Sequence, residues 1–516
     1  MKKSAYFTTP LYYVNDVPHL GSAYTTTLVD VLAKYHKMFG NDVLFLTGTD
    51  EHGQKVEQAA AKRGLSPQQH CDEISAKFAQ AWTALGIDFD IFFRTTAEFH
   101  KLAVQNILQK LYDTGDIYSA TYKGWYCVSE EIFYTEKELL NGKTPTGKDV
   151  VEIEEKNYFF KMSKYQARLI SHIENNPTFI LPVSRKNEVL GFLRQPLADL
   201  CISRPKSRLR WGIEIPFDRD YVTYVWFDAL LNYATGVGLV QETKKSDFEK
   251  WWQGAGATHF IGKDILITHS VYWPTMLMAI GVNLPKTIFA HGWILNKENE
   301  KMSKSTGSVM SPTDVTAWIG LDSLRYYLVR DFPLGQDAPV SSDLISSRIN
   351  SDLANNFGNL VSRTTNLIDK FFGGNIPVKL FDDESTQNLK RHALKLPSTI
   401  TAAIDAYAPH AAVEATMALL TETNKYLEDK APWKTAKTDL DSCGKALFAA
   451  LEVIRFAAIA LRPILQIKAQ TVLECIGHPN GKWQDLTQFG EIAPPNRVQK
   501  SPPLFPRIET TFGASL

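Results

Sequence analysis

The chain has little cysteine. Five residues in 516, Cys71, Cys127, Cys201, Cys443 and Cys475, are scattered, odd in number and nowhere paired at metal-ligand spacing. That argues against a disulfide framework and implies a reducing compartment. Net charge is also lacking, since 56 Lys and Arg balance 56 Asp and Glu. Composition therefore does not favour a nucleic-acid partner, although a local basic groove can hide inside a neutral total. There is no long uncharged apolar run: the longest apolar stretch, Leu447 to Leu465, carries Glu452, Arg455 and Arg462 and reads as a buried helix, not a membrane span. The N-terminus runs almost directly into a strand-like segment, leaving no room for a signal peptide, or for a transit peptide if this is the full gene product, so a cytoplasmic location is expected. Internal repeats and low-complexity tracts are missing too.

What the chain does have is a loop-like stretch, Lys301-Met302-Ser303-Lys304-Ser305-Thr306-Gly307, in which two lysines bracket hydroxyls beside a glycine. Such a loop can grip a polyphosphate. Far upstream, Pro18-His19-Leu20-Gly21-Ser22 lies between a strand-like run, Tyr6 to Thr9, and an amphipathic helical run, Leu20 to Met38. It would cap a helix N-terminus, where anions are favoured. Each segment alone has an ordinary reading, a capping histidine and a solvated loop. Their order and context reverse those odds. Together they resemble the paired ATP signatures of the class I aminoacyl-tRNA synthetases.

Strand-like and helical runs alternate from residue 1 to about 115, as expected for a parallel sheet covered by helices. From about 116 to 220, aromatics interleaved with charges read as an inserted mixed α/β module. Alternation resumes at Tyr221 to Phe227, His259 to Ile261 and Thr287 to His291, as if the same sheet continued. The expected fold class is thus α/β, a split Rossmann-like parallel sheet with an insertion. Its ligands should sit beyond the strand carboxyl ends, where Thr49-Asp50-Glu51-His52 and Gly262-Lys263-Asp264 would fall. After Asp337 the pattern is helical, apart from a Gly373-Gly374-Asn375-Ile376-Pro377 break and a proline-rich tail, so a helical bundle closes the protein.

Within class I, the stretches Ala5 to Ser22, Leu46 to Gly53, Tyr224 to Tyr233, Ile261 to His269 and the lysine loop resemble the methionyl-tRNA synthetases over nearly the whole chain. The resemblance implies a catalytic domain in two halves, 1–115 and 221–290, around a connective insertion at 116–220. It also implies a stem-contact region with the lysine loop at 291–345 and an all-α anticodon-binding domain at 346–516. It implies activation of L-methionine with ATP and Mg2+, then transfer to tRNA(Met), initiator and elongator. His19, Lys301 and Lys304 would be catalytic, stabilising charge on the phosphates and departing pyrophosphate. Gly21, Ser22, Gly262, Asp264 and Ser303 would join them around ATP, with Asp264 at the ribose. Leu11, Tyr13, Trp226, Ala229, Tyr233, Ile265 and His269 would line the methionine pocket, and Asp50 would bind the amino group. Aromatic rings suit a polarisable thioether. A carboxylate nucleophile is already ionised, so no general base is needed.

Two departures stand out. Ser22 occupies a position most often held by a second histidine in the family. The insertion, which in many relatives carries zinc knuckles of Cys-x-x-Cys pairs, here has Cys127 followed by Glu130, and Lys143-Thr144-Pro145-Thr146-Gly147 offers no thiol or imidazole. One thiolate cannot hold a structural zinc, so the chain resembles the zinc-free branch, no metal site is expected, and Cys127 reads as a packed cysteine.

In the helical section, a spacing of about 100° per residue puts Leu353, Phe357, Leu360, Val361, Leu367, Ile368 and Phe371 on one face. Asn355, Asn359, Arg363 and Asn366 share the opposite flank. The resemblance assigns Asn359, Arg363, Pro432 and Trp433 to reading a CAU anticodon, a single-stranded target suited to stacking and base-edge bonds. A stand-alone nucleotidylyltransferase would not explain the helical section with Trp433. A non-catalytic tRNA-binding relative would not explain the intact His19, Asp264, Lys301 and Lys304. A monomer with no membrane partner is expected.

Overall fold

The structure, a computed structural model, describes all residues except 1–2, 128–131, 135, 137–138, 297–298, 300–309, 334, 376–377, 491–496, 510–511 and 513–516. The chain divides into two compact units. One comprises Met1–Pro18, Val43–Ala81 and Phe89–His291, and the other His19–Asp42, Trp82–Asp88 and Gly292–Leu516.

In the first unit the apolar runs pair into a six-stranded sheet. From the central strand β1 (Ser4–Tyr13), β2 (Asp42–Asp50) and β3 (Ile91–Arg94) run outward on one side, and Ala257–Gly262, Thr287–His291 and Ile180–Leu181 on the other. The pairings that reach Ala257–Gly262, Thr287–His291, Ile180–Leu181 and β3 are parallel. Thr287–His291 is buried at every position, the run expected of a strand covered on both faces. Sheet order reverses between β1 and Ala257–Gly262, which makes that boundary the switch point where such sheets bind ligands.

Two features differ from expectation. Ile180–Leu181, inside the stretch read as an insertion, adds the edge strand beside Thr287–His291. Tyr221 to Phe227 does not rejoin this sheet: Asp218–Thr223 pairs antiparallel with Ser203–Pro205 in a separate three-stranded sheet, and Val225–Ala229 is helical. A short apolar run is compatible with a strand or a buried helix, and tertiary packing chose between them. The insertion's own sheet has four strands, ordered Ile132–Tyr134, Ile117–Cys127, Val151–Phe160, Leu200–Cys201. Cys127 is buried, as are the other four cysteines, and all five are free thiols.

The second unit is mostly helical. Helix α1 (Leu20–Met38) has the bounds expected from its periodicity. It is fastened by a fully buried ion pair, Asp30 with Arg325 at 2.6 Å, while Arg325 also donates to the carbonyls of Leu85, Pro463 and Ile464. Losing one partner of such a pair strands a buried charge, at a cost of about 3–5 kcal/mol. The bundle is built from Asn359–Phe372, Glu384–Asp405, Pro409–Lys430, Leu440–Leu461 and Gln466–Cys475. Leu440–Leu461 is the buried helix expected from the apolar run, and its Glu452 and Arg455 pair at 2.7 Å. Among the described residues no helix is long and apolar enough to cross a membrane.

Candidate active site

At the switch point the carboxyl end of β1 carries Leu11 and Tyr13, both half-buried, and the end of β2 carries Asp50, which is 9% exposed. Beyond Ala257–Gly262 the chain turns through Lys263–Ile265 into a wide π-type turn, Thr268–Tyr272, carrying His269. Turns of this kind are frequent at functional sites. Trp226 and Ala229 lie on the short helix Val225–Ala229, and Tyr233 on Asn232–Thr235. Leu11, Tyr13, Trp226 and Ile265 pack against the same apolar core that contains Tyr233.

The polar geometry is specific. Tyr233 Oη lies 2.8 Å from His269 Nε2, and His269 Nδ1 lies 3.0 Å from the Ile265 carbonyl. The carbonyl can only accept, so the imidazole proton belongs on Nδ1, and Nε2 accepts from the tyrosine. Burial pushes the His269 pKa down to about 4, partly offset by that carbonyl, so the ring is neutral at pH 7. Burial likewise pushes the Tyr233 phenol up. Trp226 meets the His269 ring edge to face at 6.1 Å. Behind Tyr233, at 4.3 Å, lies His259, held neutral by burial, with Trp273 Nε1 donating to its Nε2 and its Nδ1 beside Thr8 Oγ1. The wall is therefore aromatic, buried and uncharged, while Asp50 supplies a carboxylate at a neighbouring strand end. Sequence reasoning passed over Asp228 and His100, buried polar residues in this unit whose partners are distant in the chain.

Gly262 precedes Asp264 at the strand end. A Cβ at Gly262 would come within 2.5 Å of Asp264 Oδ1, so glycine is what lets the exposed carboxylate fold back here.

In the second unit His19 caps α1 as expected. Its Nδ1 accepts from the backbone N–H of Gly21 (3.1 Å) and Ser22 (3.3 Å), which puts the neutral ring's proton on Nε2. A Cβ on Gly21 would sit 3.0 Å from the His19 ring, so glycine allows that close approach. Ser22, expected among the ATP ligands, is buried. Its Oγ donates to the His19 carbonyl and accepts from the His19 N–H, so the serine braces the cap. Lys301, Ser303 and Lys304 lie outside the described residues. The backbone just after them is placed, because the Met310 carbonyl accepts from Leu20 N–H at 3.2 Å on the first turn of α1.

In the bundle, Leu353, Phe357, Leu360, Val361 and Ile368 are buried, Leu367 and Phe371 half-buried, and Asn355, Asn359 and Asn366 exposed, as the periodicity implied. The Arg363 guanidinium lies over the Trp433 ring at 5.0 Å. Ala431 adopts a left-handed conformation (φ 42°) that turns the chain into Pro432 and Trp433. Among the described residues no group of three or more His, Cys, Asp or Glu is arranged to hold a metal. Glu130 lies outside them.

A Rossmann-like parallel sheet with aromatic and acidic residues at its switch point, followed by a helical domain, defines the class I aminoacyl-tRNA synthetase architecture. The model of the family described as "tRNA synthetases class I (M)" matches residues 5–150 and 137–365, and that described as "Anticodon binding domain of methionyl tRNA ligase" matches 382–511. Similar proteins include the methionine–tRNA ligases of Clostridium perfringens (42% identical over 98% of this chain and 78% of that protein) and Bacillus subtilis (40%, 98% and 78%). The Mycobacterium tuberculosis methionyl-tRNA synthetase in complex with methionyl-adenylate superposes with a TM-score of 0.91 at 38% identity, covering 98% of this chain and 100% of that one. The chain belongs to the methionyl-tRNA synthetase family.

Proposed function

We infer that this chain activates L-methionine with ATP and transfers the methionyl group to tRNA. In the first step a methionine carboxylate oxygen attacks the α-phosphorus of ATP, the bond to the β-phosphate's bridging oxygen breaks, and pyrophosphate leaves with that electron pair. In the second, a hydroxyl of the terminal tRNA ribose attacks the adenylate carbonyl and AMP departs. Neither step needs an enzymatic nucleophile, so the residues act by holding and by neutralising charge.

The observation that carries the amino-acid assignment is the neutral Tyr233–His269 pair beside Trp226. A thioether gains from polarisable rings and loses against a charge, and burial keeps the His269 imidazole uncharged. In this reading Leu11, Tyr13, Trp226, Ala229, Tyr233, Ile265 and His269 enclose the side chain and Asp50 takes the ammonium group.

For the nucleotide, His19 Nε2–H donates to phosphate, Gly21 and Ser22 orient that ring, and Gly262 and Asp264 hold the ribose end. Lys301, Ser303 and Lys304 engage the phosphates as pyrophosphate departs. The Met310 to Leu20 bond supports this, since it ties the exit of the lysine loop to the helix that His19 caps. Magnesium arrives with ATP as part of the substrate. In the helical unit, Asn359 and Arg363 read base edges of a CAU anticodon, on initiator and elongator tRNA alike, with Pro432 and Trp433 forming a stacking platform. With Arg363 over the tryptophan ring, a base must take the other face or displace the guanidinium. We further propose a zinc-free, cytoplasmic monomer.

Methionine-dependent pyrophosphate exchange, with tRNA charging measured alongside, tests this reading. Exchange and charging that both require methionine are expected. Exchange with no charging, or neither, would overturn it.

A further inference from the structure

Behind the pocket wall lies a buried polar cluster. Asp228 is fully buried, and each carboxylate oxygen faces one imidazole: His52 Nδ1 is 2.6 Å from Oδ2 and His100 Nε2 is 2.9 Å from Oδ1. His100 Nδ1 lies 2.9 Å from Thr235 Oγ1. The histidines are buried as well, at 4% and 0% exposure. Burial alone would raise the carboxyl pKa, but the two imidazoles outweigh it and hold Asp228 below its ordinary value. A carboxylate this deep is tolerated only with such partners.

The cluster's connections match the pocket. His52 follows Asp50 by two residues at the exit of β2. Asp228 lies between Trp226 and Ala229, and two residues apart on a helix are about 200° apart, so Asp228 can anchor the helix from the side away from Trp226. Thr235 ends the helix that carries Tyr233. His100 belongs to the helix Glu98–Asp113, which contributes no residue assigned to the pocket. We propose that His52, Asp228 and His100 form a positioning clamp. It sets the separation between Asp50, which takes the substrate's ammonium group, and the wall of Trp226, Ala229 and Tyr233, which takes its side chain.

The proposal rests on the pocket assignment above. The β2 exit has a second, independent anchor. Glu51, fully buried, accepts from Arg94 Nε at 2.7 Å and Nη2 at 3.0 Å, and from Thr49 Oγ1 at 2.8 Å. Loosening the clamp therefore leaves the strand end attached and lets its direction drift.

The test is steady-state pyrophosphate exchange on paired variants of the whole chain. His52→Leu and His100→Leu remove the hydrogen bonds. His52→Asn and His100→Gln place an amide N–H where Nδ1 and Nε2 stood. The leucine variants should raise the methionine KM about ten-fold or more, with the ATP KM changed by less than about two-fold, and the matched amides should return it to within about three-fold of wild type. An unchanged methionine KM, equal effects on both substrates, or amides as impaired as leucines would overturn the clamp. If a leucine variant does not fold, His52→Gln, whose amide reaches one bond too far, is compared with His52→Asn, and an equal methionine KM in the two overturns it. Trp226→Ala and Tyr233→Ala in the same assay separate the two readings. If they too spare the methionine KM, the pocket assignment fails; if they raise it while the histidine variants do not, only the clamp fails.

Discussion

The proposed amino-acid pocket and the proposed anticodon face achieve selectivity by opposite means. The pocket assembles Asp50, Trp226, Tyr233 and His269 from strand ends and short helical turns far apart in sequence, buries most of them and sets the Tyr233 hydroxyl and both His269 nitrogens against partners. The anticodon face presents Asn359 and Arg363 one turn apart on a single helix, exposed and half-exposed, meeting Trp433 through one cation–π contact. A substrate as small as an amino acid offers few contacts, so discrimination depends on rigid shape; one methylene in an apolar pocket is worth only about 1–3 kcal/mol. A single-stranded loop offers many base edges and can adapt. The comparison teaches that order is concentrated where the ligand is smallest. At the proposed face, the left-handed backbone at Ala431 turns the chain into Pro432 and Trp433.

The two half-reactions separate the regions. The largest effect is expected from the lysine loop: Lys304→Ala should slow adenylate formation by about 10² or more, with ATP and methionine binding little changed, the signature of transition-state stabilisation. A near wild-type rate in single-turnover adenylation would remove that lysine from the chemistry. Next comes the buried histidine. With its folded pKa lowered to about 4, below the ordinary 6.5 of an unfolded chain, the unfolded state binds the extra proton first. The stability His269 contributes is present above about pH 6.5 and is lost as pH falls toward 4, by about 3 kcal/mol in all. His259 acts in the same direction. Thermal melts across pH 4 to 7 should show the decline, and His269→Gln should make it shallower, leaving the part due to His259; an undiminished decline in the variant would refute the assignment.

Third, Trp433→Ala should weaken charging of tRNA with a CAU anticodon by about ten-fold, as stacking losses per base imply, while exchange without tRNA stays intact. If exchange falls with charging and the melting temperature drops, Trp433 is a packing residue and the contrast between the regions collapses. The smallest effect is none: after exhaustive chelation the protein should contain no stoichiometric zinc and keep its activity with magnesium and ATP. One zinc per chain would show that the insertion holds a metal by other ligands.

Much of the site was legible because it is written in short local patterns. His19 and Gly21 stand where a strand meets a helix start, and the bounds of α1 followed from periodicity alone. The face of Leu353, Phe357, Leu360 and Val361 was readable for the same reason, although Ile349–Gly358 winds with the wider π pattern before becoming α-helical. The Tyr221 to Phe227 segment was misread as a strand of the main sheet because a brief apolar run carries no decisive period. The part Ser22 plays in the cap was not visible in the motif, because its hydroxyl bonds both the N–H and the carbonyl of His19.

By itself the sequence determined the class of fold, the order of its parts and the residues at the strand ends, because periodicity, turn chemistry and paired motifs are local or nearly so. Only the tertiary structure decided which buried polar groups meet. That the Tyr233 hydroxyl meets His269 Nε2, that Asp228 is gripped by His52 and His100, and that Arg363 covers Trp433 are facts about distance between residues well separated in the chain. Hydrogen bonds and burial act over a few ångströms of space, and linear order does not encode which distant segments will come within that range.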